Sequence, residues 1–231
     1  MAKILMPTAS TIFAALLGGI IPAIFWLWFW QKEDSAKPEP RGMILFLFLA
    51  GMASVVLVIP MQKFAFANIT DSTALLLSWA AIEELMKFFV FFLIAAGSRF
   101  ADEPVDYAIY MITVALGFAA FENTIFLIDP IANQGAVAAL LTGNLRFIGA
   151  SVLHTASSAF VGLFMGLAFF GGAFSKAMHL ISGLLTAIAL HALFNFFIIS
   201  NGDKNIFVVF GFLWVAVIIV MLLFEKVKQL R

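Results

Sequence analysis

Seven runs of about twenty predominantly apolar residues, parted by short polar breaks, decide which solvent this chain can fold in. Of its 231 residues 64% are hydrophobic and 11% charged, and the mean hydropathy is +1.09. A water-soluble domain of this length could not hide that much apolar surface. In lipid every backbone N–H and C=O must be satisfied within its own segment, which favours helices. The expected fold is therefore an all-α polytopic membrane protein of about seven transmembrane helices, forming one membrane-embedded domain over 1–231.

The runs lie at about 11–30, 43–66, 74–96, 107–128, 145–171, 176–200 and 205–224. The first is followed by no small-residue cleavage pattern, and Trp26, Trp28 and Trp30 read as an interfacial belt, so it is expected to stay as a helix. Pro38 and Pro40 mark the 31–42 stretch as a linker. Pro60 reads as a kink, Asp129-Pro130 as the end of the fourth run, and the stretch 135–143 as an interfacial or re-entrant lead-in too short to span. Basic residues alternate between the loops. Lys32, Lys37, Arg41, Arg99, Lys176 and the 226–231 tail fall on one side, and only Lys3, Lys63, Arg146 and Lys204 on the other. The positive-inside rule then places the N-terminus outside and the C-terminus in the cytoplasm of a cell-membrane protein. Zero net charge without a basic patch excludes nucleic acid as a partner, and the absence of cysteine excludes thiol nucleophiles and thiolate metal sites.

The third run carries Glu83, Glu84 and Lys87 in its middle. Each ionisable group at bilayer depth costs at least roughly 2.5 to 3.5 kcal/mol, so three within one helical turn need partners and mark a functional candidate. Lys87 lies four residues from Glu83 and three from Glu84, within reach of either carboxylate. The plain alternative is a buried ion pair that locks helices together. Further polar residues favour a site: Glu122 on the fourth run, Arg146 and His154 on the fifth, and His191 and Asn195, four apart, on the sixth. At about 1.5 Å per residue from the outer helix ends, Glu83, Glu84, Glu122, His154, His191 and Asn195 fall about 6 to 14 Å deep, at one level of the outer half-bilayer. Four helices around one wet cavity would explain that shared level. His179 sits away from it and reads as structural, and Ser157 and Ser158 read as small packing residues.

Read together, Glu83-Glu84-x-x-Lys87, Glu103-Pro104-Val105-Asp106 with Leu116-Gly117-Phe118-Ala119-Ala120-Phe121-Glu122-Asn123, Arg146 with His154, and His191-x-x-x-Asn195 resemble the PrsW family of glutamic intramembrane proteases. That family is related to the type II CAAX prenyl proteases. The match covers runs three to six, the expected core. Tyr107 and Ala115 stand where the family often has glycine. Glu122 stands where the CAAX group has histidine, which agrees with the PrsW side of the relationship.

The resemblance implies hydrolysis of membrane-anchored proteins near the outer face, anti-sigma factors being the family's known substrate type. Glu83 or Glu84 would be the base on a water, with Glu122 or His154 orienting that water or protonating the leaving amine. His191 and Asn195 would donate to the oxyanion, while Lys87 and Arg146 support the carboxylates. No cofactor and no metal ion is expected, and the oligomeric state is not legible. Two other readings compete: a metal-dependent membrane hydrolase, since two histidines and three carboxylates could ligate a divalent ion, and a proton or cation transporter using the glutamates as a relay. Missing repeat halves weigh against the transporter.

Overall fold

The structure is a computed structural model that describes residues 7–33, 37–201 and 206–230. Lys3, Lys204, Arg231 and the middle of the 31–42 linker lie outside the described residues. Within them the chain is helical, without strands: α1 (Ala9–Glu33), α2 (Arg41–Asn68), α3 (Ser72–Ile94), α4 (Asp106–Asp129), α5 (Ala136–Leu145), α6 (Ser151–Leu167), α7 (Ala173–Asn201) and α8 (Ile206–Lys228). Six helical stretches are long and apolar enough to cross a membrane. Helix α3 has the length to do so as well, and differs in carrying Glu83, Glu84 and Lys87, all buried.

Two boundaries differ from the sequence expectation for a shared reason. Pro130 does not end the helical path, because a π-helical turn over Pro130–Gln134 continues it, and the break falls at Gly135, whose φ of 89° favours glycine. The stretch read as a lead-in is α5, which passes through a second π-helical turn, Arg146–Ala150, into α6, so 136–167 is one apolar path. Such turns insert into a helix without ending it, so a proline at the first position of one, as Pro130 is, does not stop the path. Helix α5 buries none of its residues and borders an apolar cavity of about 690 Å³ next to α1. Helix α2 runs through Pro60 to Asn68.

Helix α4 is the hub, buried continuously from Ala108 to Ala120 and packed against α1, α2 and α6. Helices apolar on every face belong at the centre of a bundle. Without a hydrophobic drive between helices in lipid, close approach through small residues supplies the packing. A Cβ at Gly117 would collide with the Phe48 carbonyl, and one at Gly51 with that of Val114, so α2 and α4 meet backbone to backbone. Helix α3 packs on α2 and α7, and α7 on α6, which closes a ring around the polar residues. At the opposite end of α4, Asp106 Oδ2 accepts the backbone N–H groups of Asp102 and Glu103, and Lys37 reaches Asp102 at 2.7 Å. The Glu103-Pro104-Val105-Asp106 stretch is thus a loop clasp, distant from the glutamate pair.

Candidate active site

On α3 the spacing of Glu83, Glu84 and Lys87 turns all three inward. Lys87 Nζ donates to Glu84 Oε1 at 2.7 Å and to His154 Nδ1 at 2.8 Å, and lies 4.8 Å from the centre of the Phe118 ring. Both carboxylates were within its reach in sequence; in the fold it serves Glu84. The same carboxylate accepts His191 Nδ1 at 2.7 Å and Ser158 Oγ at 3.1 Å. Donors from α3, α6 and α7 therefore converge on Glu84, which is fully buried.

An ammonium only donates, so His154 accepts at Nδ1 and carries its proton on Nε2, which donates to Glu122 Oε2 at 3.0 Å. Glu122 Oε2 also accepts from Arg146 Nη2 at 2.6 Å. Arg146 is the first residue of the second π-helical turn; its Nε donates to Asn123 Oδ1 at 2.5 Å, and its guanidinium stacks 4.0 Å from the Phe126 ring centre. Asn123 in turn donates to Ser151 Oγ at 3.0 Å.

Glu83 is different. The two cations of the site, buried Lys87 and part-buried Arg146, are committed to Glu84 and Glu122, and Glu83 has neither. Its Oε1 accepts from Gln62 Nε2 at 2.8 Å, while its buried Oε2 has no hydrogen-bond partner among the described residues. That oxygen lies 3.7 Å from His191 Nε2 and 3.9 Å from His154 Nδ1. Because His191 Nδ1 faces a carboxylate, that nitrogen carries a proton and donates it. Glu83 Oε2 and His191 Nε2, 3.7 Å apart, border a cavity of about 610 Å³, whose wall also includes Trp79, Glu122, Arg146 and Asn195.

The residues singled out from sequence therefore converge. Glu83, Glu84, Lys87, Glu122, Arg146, His154 and His191 form one network of polar contacts, and Asn195 lines the same cavity, its side chain making no hydrogen bond among the described residues. His179 bonds the Ser175 carbonyl on its own helix, outside the network. Two readings change. Ser158 supports Glu84 as well as packing, and Gln62 and Asn123 enter the site, while His191 gives its Nδ1–H to Glu84 and turns Nε2 to the cavity. Gln62 had a signal, a lone amide inside an apolar span, but no motif around it.

Residues 39–223 match the family described as "PrsW family intramembrane metalloprotease". The chain belongs to the PrsW family. It is 28% identical over 210 residues to Protease PrsW of Bacillus subtilis, covering 87% of this chain and 91% of that one. It is 27% identical over 198 residues to Protease PrsW of Geobacillus kaustophilus, covering 82% and 81%. No solved structure matches it. The chain is accordingly a multi-pass membrane peptidase, and membrane-anchored proteins are the natural substrates of such an enzyme.

The metal in the PrsW family's description can be tested against the donors. Glu83, His154 and His191 each offer a ligand atom, all within 4.8 Å of one another, a donor set that suits zinc or a similar ion. His191 even has the carboxylate behind its second nitrogen that ligating histidines favour. His154 does not fit. Its Nδ1 lone pair is taken by the Lys87 ammonium and its Nε2–H by Glu122, so neither nitrogen is open to a cation, and the ammonium would repel one.

Proposed function

We propose that this PrsW-family peptidase hydrolyses peptide bonds by a metal-free, glutamate-based mechanism in which Glu83 is the base. The observation that carries this is the buried Glu83 Oε2, without a hydrogen-bond partner among the described residues and 3.7 Å from His191 Nε2, which in a neutral imidazole donating at Nδ1 is an acceptor. A water donating one hydrogen to each would be held with its oxygen lone pairs turned to the cavity. As that oxygen adds to the scissile carbonyl, its proton passes to Glu83, which then delivers it to the leaving nitrogen as the C–N bond breaks. The Asn195 amide, on the wall of the same cavity, would donate to the oxyanion, the role the sequence reading shared with His191. Glu84 and Lys87 orient His191 and His154. Glu122, His154 and Arg146 fix the charge around the cavity.

A divalent ion on Glu83, His154 and His191 is the rival that the donor spacing favours. Purified enzyme in proteoliposomes is expected to keep its cleavage rate in excess chelator, with sub-stoichiometric metal by elemental analysis. Loss of activity that one divalent ion restores at one equivalent would reverse the assignment.

The proposal extends to substrates and orientation. The family resemblance supports single-pass membrane proteins of the anti-sigma factor type, cut near the outer face. The basic linker and tail support an external N-terminus and cytoplasmic C-terminus. Reporter fusions after Gln31 and after Arg231 are both expected to report the cytoplasm; an external tail, or opposite sides for the two, would overturn this topology.

A further inference from the structure

We infer that Gln62 is a positioning residue for the Glu83 carboxylate, fastening α2 to α3 at the depth of the active site; this rests on Glu83 being the base. The terminal torsion of a glutamate is broad and roughly two-fold, so an isolated Glu83 would have no preferred aim. Gln62 Nε2 donates to Oε1 at 2.8 Å, and the amide must face this way because a carboxylate only accepts. With Oε1 held, Oε2 is directed at the space beside His191 Nε2.

Gln62 is itself held from α3. The Trp79 indole N–H donates to the Gln62 carbonyl at 3.1 Å, and Trp79 and Glu83 are four residues apart on one face of that helix. One residue of α2 is thus engaged by two successive turns of α3, through its backbone and its side chain. This fixes the register of the two helices where the base stands. Lys87 and Arg146 are spent on the other two glutamates, so the amide is the only side-chain hydrogen bond to Glu83 among the described residues. It orients the carboxylate while leaving it uncompensated by a cation, as a base requires.

The test uses the full chain in proteoliposomes and a single-pass membrane reporter cleaved by the parent. Gln62→Met keeps the length of the side chain and removes the donor. It is expected to lower kcat about 10- to 100-fold, the scale of a misplaced reacting group, with KM unchanged and parental melting. Placed on Glu83→Gln, it is expected to add almost nothing, because it acts through the lost carboxylate. Gln62→Asn, which keeps the amide but withdraws it by one methylene, provides the same comparison if the Met variant does not fold. A rise in KM at constant kcat would make Gln62 a substrate contact. A lower melting point with parental kcat would make it only a helix pin. Either result, or an undiminished loss on Glu83→Gln, overturns the inference. Full activity in Glu83→Gln alone would instead remove the underlying assignment of the base.

Discussion

Glu83→Gln is expected to lower peptide cleavage by roughly 100-fold or more while inserting and melting like the parent. Glutamine preserves the shape of the side chain and an oxygen for Gln62 to donate to, but removes the group that takes the proton from water. Glu83 pairs with no cation, so its replacement strands no buried charge. Glu84→Gln should behave differently, because Glu84 is where Lys87, Ser158 and His191 converge. An amide nitrogen there would face donors, and the loss should appear as reduced stability together with reduced activity. Cleavage rates and melting curves on the two purified variants separate the roles. A fully active, stable Glu83→Gln would refute the assignment of the base.

Lys87→Met is expected to destabilise the bundle by about 3–5 kcal/mol, the range for stripping one partner from a buried ion pair. Lys87 and Glu84 are both fully buried at 2.7 Å, and losing the ammonium also leaves His154 Nδ1 without its donor. The comparison is Lys228→Met, which removes an ion pair of the same 2.7 Å length with Glu225, and a longer one of 3.7 Å with Glu33, where the partners reach solvent. Screening there should hold the effect below about 1 kcal/mol. Reversible denaturation in mixed micelles would measure both. Combining Lys87→Met with Glu84→Gln should recover part of the loss, since the stranded charge is then gone. Equal, small effects at the two lysines would contradict the description of Lys87 as the ionic centre of the site.

These contrasts show where the sequence was legible. The bundle could be read because lipid admits few folds and each apolar run has the length of a span. The convergence of Glu83, Glu122, His154 and His191 could be read because intramembrane polar residues on four helices at one depth have few other uses. The pairing could not. Lys87 stands three residues from Glu84 and four from Glu83, and only His154 and His191, arriving from α6 and α7, decide that it serves Glu84. That choice makes Glu83 the uncompensated carboxylate. Gln62 was missed because an amide inside the apolar part of a 28-residue helix has no periodicity to reveal it. The π-helical turn that begins at Arg146 was missed because its residues are those of an ordinary helix.

The central claim is that a water, with no metal, occupies the space between Glu83 and His191. An experimental map of the lipid-embedded enzyme at atomic resolution, with anomalous data at the zinc edge, tests it most directly. One oxygen-sized peak is expected within about 2.6–3.2 Å of both Glu83 Oε2 and His191 Nε2, without anomalous signal and with Lys87 still bonded to His154. An anomalous peak about 2.0–2.2 Å from Glu83, His154 and His191, with Lys87 displaced, would contradict it.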